Sequence, residues 1–280
     1  MNASAGFRVN TAIAEPTCCG RLRTVSNTAH EDSIRGRYND VLERLTAACR
    51  RVSRDPDDVE VMVITKTRSV SEIGEVMAAG ARSFGENRVQ EIMAKWSPLS
   101  AGHNAALAPS QEAQYVPDTP ERDSVRLSLV GHLQSNKAAK VVDHVDAVAS
   151  IDKVNTAHEL ARRLNRPMDM LVQINTSGEE SKFGLSEDER AICTVIEGLL
   201  GHPNLQLRGV MTIAPFIEDR DAIRGAFVSL RRWFEWIGAR YSPERWDTLS
   251  MGMSGDMEIG IEEGSTQIRP GTAVFGPRPG

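Results

Sequence analysis

No apolar run in the 280 residues approaches the ~18 needed to span a bilayer, and the N-terminus lacks the compact apolar core of a secretory signal. A cytoplasmic chain is expected. A surplus of basic charge is also missing: 33 Lys and Arg stand against 38 Asp and Glu, giving a formal net charge of −5 and an isoelectric point near 5.8. Without a broad basic footprint, neither nucleic acid nor an anionic membrane is expected as a main partner. Cysteine is scarce. Cys18 and Cys19 are adjacent in a polar segment, and Cys49 and Cys193 fall in helical patterns. That arrangement excludes zinc-ligand spacing and a secreted disulfide framework, and leaves four reduced thiols. No G-x-G-x-x-G follows any apolar run either, which removes the usual first turn of an open, doubly wound dinucleotide fold.

What is present is ordinary globular material, 40% hydrophobic and 25% charged, enough for a large core. Residues 1–30 are rich in Ser, Thr and Asn, carry Arg8, Arg21 and Arg23 against the single acid Glu15, and read as a disordered leader. Ile34, Tyr38, Val41, Leu42, Leu45 and Ala48 then recur at helical spacing and predict a helix over 31–52. Strands are predicted at 59–67, 83–86, 126–133, 147–151, 169–176, 206–213, 248–253 and 266–275, with amphipathic helices at 70–79, 89–96, 153–164, 187–200 and 219–240. Alternation of this kind implies a parallel sheet, and eight units are the number that closes a (β/α)8 barrel of the α/β class. One barrel domain over 31–280 is therefore expected, interrupted at 97–124 by a linker-like insertion rich in Pro, Ser, Ala and Gln. Because that insertion follows a helix, it is expected on the face opposite the site.

In such barrels the working groups sit at the C-terminal ends of the strands, where this reading puts Lys66, Asn87, His132, Asn175, Thr212, Met253 and Arg269. Lys66 ends the first β-branched run. Alone it reads as a solvated lysine, but walled by Met62 and Ile64 it would lose hydration and offer a neutral amine to an aldehyde. Ser254, in the loop leading to a helix starting near Gly255, reads either as a plain helix cap or as a hydroxyl beside N–H groups that meet an anion. Gly271 and Thr272 add donors after the eighth strand, and the last two βα loops are the recurrent phosphate site of these barrels. An amine facing a phosphate cradle suggests pyridoxal 5′-phosphate (PLP). Arg269 would then lie beside the pyridine nitrogen and keep it unprotonated; the competing reading pairs Arg269 with Glu258, Glu262 or Glu263.

Six segments, in order, carry a resemblance to a known family: Lys66-Thr67, Phe84-Gly-Glu-Asn-Arg-Val-Gln-Glu91, Gly131-His-Leu-Gln-Ser-Asn-Lys137, Arg208-Gly-Val-Met-Thr212, Leu249-Ser-Met-Gly-Met-Ser-Gly-Asp-Met257 and Arg269-Pro-Gly-Thr-Ala-Val-Phe-Gly276. From about 31 to 276 the chain resembles the PLP homeostasis protein family, also called the pyridoxal phosphate-binding protein or proline synthetase co-transcribed homologue family. The resemblance implies a barrel similar to the N-terminal domain of alanine racemase, a Schiff-base lysine at Lys66, phosphate contacts from Ser254, Gly271 and Thr272, and Arg269 beside the ring nitrogen. Asn87 and His132 match family positions near the cofactor, Lys137 begins a helix capped by Ser135 or binds anions, and Lys182 or Ser181 would guard the mouth. A racemase needs proton-transfer groups on both faces of the substrate α-carbon. The three tyrosines, Tyr38, Tyr115 and Tyr241, fall at no predicted strand end. The expectation is a monomeric PLP carrier or regulator in vitamin B6 and amino-acid homeostasis, with PLP-dependent apoenzymes as partners. A low-activity PLP-dependent amino-acid racemase using Lys66 as sole base is the alternative.

Overall fold

The computed structural model describes residues 33–100, 125–179 and 181–277. The 1–30 leader and most of the 97–124 insertion lie outside those residues. Helix α1 (Ile34–Arg51) is capped by the Ser33 hydroxyl and buries Tyr38, Val41, Leu45 and Ala48 along one stripe. Eight strands follow: β1 (Glu60–Ile64), β2 (Ser83–Glu86), β3 (Arg126–Leu129), β4 (Ala147–Ile151), β5 (Met168–Gln173), β6 (Leu205–Met211), β7 (Thr248–Ser250) and β8 (Gln267–Ile268). Each pairs in parallel with the next, and β8 returns to β1 through Glu60↔Gln267, closing the barrel.

The outer layer is formed by α2 (Val70–Ala78), α3 (Val89–Ser100), α4 (Val154–Ala161), α5 (Glu189–Leu200), α6 (Arg220–Tyr241), α7 (Met257–Glu262) and the single turn α8 (Thr272–Phe275). Local chemistry starts several of them. Ser69 and Glu72 form a reciprocal capping box on α2, and Asp188 and Asp219 accept backbone N–H groups at the starts of α5 and α6. Between β3 and β4 the crossover is only a 3-10 turn, Ser135–Lys140. Because α8 is too short to cover its side of the barrel, α1 packs against α2, α7 and α8 and completes the ring. The main core lies between strands and helices, where Phe84 and Trp96 meet with ring centroids 5.1 Å apart. A smaller cluster of Ala149, Leu171 and Met211 comes from β4, β5 and β6, with Val130 after β3 and Ile213 after β6 packed against it.

Several sequence expectations need correction. The strands read at 126–133 and 248–253 stop at Leu129 and Ser250, so His132 and Met253 lie in the segments that follow them. The stretch 266–275 is not one strand: after Gln267–Ile268 the chain turns at Pro270 and closes into α8. The helix after β7 starts at Met257, capped at Asp256, rather than near Gly255. Helix α3 runs on to Ser100, so the first four residues of the expected insertion are helical.

Acid should loosen this fold. Burial alone would raise the carboxyls of Glu72, Glu91, Glu258 and Asp247, but their Arg, Lys or N–H partners override it and hold them below the usual range. In Glu262 the hydrogen bond from Arg224 leads in the same direction. A depressed folded-state value gives stability that is complete above the unfolded carboxyl range of roughly 4 and is lost as pH falls through the folded values. The urea midpoint is expected to be flat above about pH 5 and to drop steeply below about pH 4; a midpoint that rises on acidification would contradict these pairings.

Candidate functional site

β1 ends at Ile64, and Lys66 lies in the turn that follows rather than in the strand. This end of β1 is held on both sides: Ile64 N–H donates to Pro270 O at 2.9 Å and Thr65 N–H to Gly85 O at 3.0 Å. Lys66 is half-buried, and Thr67 beside it adopts a left-handed backbone with φ of 64°. Gly271 packs against the same place. A Cβ added to it would stand 3.4 Å from Ile64 Cβ, so the loop after β8 lies directly beside the strand that delivers Lys66.

Ser254 does not cap its own helix. Its Oγ accepts from Gly271 N–H at 3.1 Å and Ala273 N–H at 3.0 Å, binding the loop after β7 to the loop after β8. Met253 N–H donates to Asp256 Oδ1 at 2.5 Å, and Arg44 of α1 donates to Ser254 O at 3.1 Å. Two backbone N–H groups and a hydroxyl thus converge on one spot. Thr272 starts α8 with an exposed side chain.

Arg269 is 4% exposed. It donates to Ser250 Oγ at 2.6 Å and to Thr212 O at 2.5 Å, not to any of the three glutamates considered from sequence. Those are engaged elsewhere: Glu258 with Arg44, Glu262 with Arg51 and Arg224, and Glu263 with Arg224 and Arg231. Burial pulls the Arg269 guanidinium down to about 10, with the Asp256 carboxylate opposing it. It remains a cation at neutral pH, fixed by neutral oxygens.

On the flank of β1 away from β8, Asn87 follows β2 and is exposed. Its backbone packs so closely on Gly131 that a Cβ there would lie 2.0 Å from Asn87 O, which explains the glycine. His132 stacks on Phe183 with centroids 4.4 Å apart, and its Nδ1 is 3.1 Å from Asp152 Oδ2 without the alignment of a hydrogen bond. Asn175 is spent on its own loop, donating to Glu179 O and accepting from Ser177. Lys182 ties that loop to Ala214 O at 2.8 Å and to Glu179 at 2.9 Å. Thr212 shares a hydroxyl contact of 3.0 Å with Thr176. Ser135 does not cap the 3-10 turn but meets Thr156.

The sequence pattern of the alanine racemase N-terminal domain family matches residues 41–279. A pyridoxal phosphate homeostasis protein of Vibrio alginolyticus is 36% identical over 248 residues, covering 85% of this chain and 96% of that protein. Its Escherichia coli K12 namesake is 35% identical over 85% and 94%. The chain belongs to the pyridoxal phosphate homeostasis protein family. Among solved structures, PipY of Synechococcus elongatus PCC7942 with PLP bound is 32% identical, with a TM-score of 0.66 over 84% of this chain and 100% of that one. Alanine racemase from Bacillus anthracis, at 13% identity and a TM-score of 0.60 over 86% of this chain and 57% of that one, shares the fold alone. The homeostasis-family barrel here has its six motifs on β1, β2, β3, β6, β7 and β8 or in the segments that follow them, with the motifs after β7 and β8 in direct contact and the one after β8 bonded to the end of β1 at Ile64. Sequence reading missed two participants. Ala273 contributes only a backbone N–H, which no side-chain motif reports. The Glu86–Lys95–Glu91 group behind the Lys66 turn had two visible signals, the motif 84–91 that holds both glutamates and the i,i+4 spacing of Glu91 and Lys95.

Proposed function

We propose that this chain holds PLP where β1, β7 and β8 end, with Lys66 as the amine of covalent attachment, and serves as a cytoplasmic, monomeric carrier or regulator of vitamin B6 and amino-acid homeostasis. One observation carries the reading: the Ser254 hydroxyl and the Gly271 and Ala273 N–H groups converge beside the end of the strand that leads to Lys66. Such a donor set fits a phosphate, and a buried arginine in the same barrel end fits a ring nitrogen acceptor. When bound, PLP supplies an electrophilic aldehyde carbon and a conjugated ring. Ser254, Gly271 and Thr272 would hold the phosphate, Arg269 would donate to the pyridine nitrogen, and Asn87 would contact the cofactor from the β2 side.

Arg269 argues for carriage over turnover. A permanent cation beside the ring nitrogen keeps that nitrogen unprotonated and weakens the electron sink that α-proton chemistry requires. Of the tyrosines, Tyr38 is buried under α1, Tyr241 ends α6 bonded to Glu197, and Tyr115 is outside the described residues. The curated relatives are named as homeostasis proteins rather than as enzymes. Among the described residues no helix is long and apolar enough to cross a membrane. PLP-dependent apoenzymes are the expected recipients.

The test is a PLP titration followed by borohydride and peptide mapping. The added mass is expected on the Lys66 peptide; no label there, or a label on another lysine, rejects the site. Incubation with amino acids in deuterium oxide is expected to give no sustained exchange at the α-carbon, and exchange with turnover would favour the racemase alternative. Ser254→Ala removes the side-chain member of the cradle and is expected to weaken PLP about 10-fold, the worth of one hydrogen bond to a charged group. Unphosphorylated pyridoxal should be affected little, and equal weakening of both aldehydes would place Ser254 outside the phosphate contact.

A further inference from the structure

The turn carrying Lys66 is held from outside the barrel, by α3. Thr65, on its N-terminal side, is fully buried, and its hydroxyl donates to Glu86 Oε1 at 2.7 Å. Lys95 Nζ reaches Thr65 O at 2.9 Å, Glu86 Oε1 at 3.0 Å and Glu91 Oε2 at 2.6 Å. On the C-terminal side, the same Glu91 Oε2 accepts the Thr67 N–H at 2.7 Å. Both neighbours of Lys66 are therefore fixed by one pair of side chains a helical turn apart.

The backbone there resists relaxing into this shape unaided. Thr67 is β-branched and not glycine, yet it sits at φ of 64°, a conformation that persists only where surrounding contacts over-determine it. The bond from its N–H to Glu91 is the contact that does so. Burial would raise the Glu91 carboxyl, but Lys95 and the Thr67 N–H outweigh it, so the acceptor is fully ionised at neutral pH. Lys95 cannot swing out to take the place of Lys66, because Glu86, buried behind it, needs its charge.

We propose that Glu91 and Lys95 are positioning residues: by clamping Thr65 and Thr67 they fix the direction in which Lys66 presents its amine. This rests on the PLP reading above and goes beyond it, since neither residue belongs to the assigned binding set. A purely structural role would affect everything at the barrel mouth alike. Positioning predicts a split between a ligand that must meet the amine and one that needs only the phosphate cradle.

The experiment compares wild type, Glu91→Ala and Glu91→Gln with two probes: PLP, and pyridoxine 5′-phosphate, which has an alcohol in place of the aldehyde. Readouts are the rate and extent of borohydride-trappable attachment, the Kd for each probe and the thermal midpoint of the unliganded protein. Glu91→Ala leaves the Lys95–Glu86 pair intact. It is expected to slow attachment about 10- to 100-fold, the cost of a misplaced reacting group, with pyridoxine 5′-phosphate affinity within about twofold of wild type. Glu91→Gln keeps an acceptor for Thr67 and is expected to recover most of the rate. Parallel weakening of both probes, or no change in either, overturns the proposal. If the alanine variant does not fold, Glu91→Leu, which likewise offers Thr67 no acceptor, decides by the same rule: a fall confined to PLP supports positioning, and an equal fall or none overturns it. Failure of the underlying PLP reading looks different, because wild type itself would then trap nothing at Lys66.

Discussion

Lys66→Ala is expected to reduce borohydride-trappable PLP to background while leaving the barrel folded. Lys66 is half-buried in a turn, outside the apolar core between strands and helices. Truncation there should cost within about 0.5 kcal/mol, a shift of no more than one or two degrees in thermal midpoint. The loss of attachment should nonetheless be complete, and the amines of Lys95 and Lys182 are each held by other partners. Lys95 is locked between Glu86, Glu91 and Thr65 O, and Lys182 between Ala214 O and Glu179. Non-covalent PLP should still bind, weakly, through Ser254, Gly271 and Arg269, because none of their hydrogen bonds passes through residue 66. Undiminished trapping in the variant would show that another lysine is the attachment point.

How far the sequence reveals this can be followed residue by residue. Residues 83–86 and 147–151 stand in the structure with the bounds read from their pattern; 147–151 is a short, mostly apolar run, whereas 83–86 carries one apolar side chain, Phe84, and was bounded by its place in the alternation. The eightfold count likewise emerged from the alternation alone. The end of the chain was misread for a physical reason. Residues 270–275 are apolar and β-branched enough to pass for a strand, but Pro270 cannot donate to a ladder, and its carbonyl is taken by Ile64. The next N–H groups go to Ser254, seventeen residues back, and the segment coils. No local pattern contains that partnership.

Ser254 shows the same limit from the other side. Its residue type and its place before a helix read as an N-cap, yet Asp256 occupies that position and the hydroxyl works on another loop. For Arg269 the motif named the residue but not its fixation, since Thr212 O and Ser250 Oγ become neighbours only when β6, β7 and β8 close. Glu258, Glu262 and Glu263 were plausible partners by sequence distance. They instead bind arginines of α1 and α6, because α7 turns its acids outward onto its neighbouring helices. That Ser254, Gly271 and Arg269 gather at one end of the barrel was therefore legible, whereas their hydrogen-bond partners were set by closure.

Closure itself can be attacked at a single atom, at the glycine whose added Cβ would make the closest approach among the described glycines. Gly209 lies in β6 opposite Thr248 of β7, and a Cβ on residue 209 would stand 1.7 Å from Thr248 O and 2.6 Å from its carbonyl carbon. These are backbone atoms, so no rotamer change relieves the overlap. Gly209→Ala must push β6 from β7, a strand of three residues with little pairing to spare. The displacement would reach Ser250 and Thr212, the two groups that hold Arg269. Overpacking that only side chains absorb costs about 1–3 kcal/mol, and a clash with main chain exceeds that range. Set against a total stability of about 5–15 kcal/mol, a loss above about 3 is expected to lower the urea midpoint sharply or prevent folding. Gly225→Ala is the matched control. Gly225 is inside α6 with nothing within 4 Å of the added Cβ, so helix propensity alone should stabilise the protein by up to about 1 kcal/mol. Unfolding curves of opposite sign for the two alanines would tie the barrel's stability to the closeness of β6 and β7. A Gly209→Ala protein as stable as wild type would mean that those strands are not in the register from which the Arg269 environment follows.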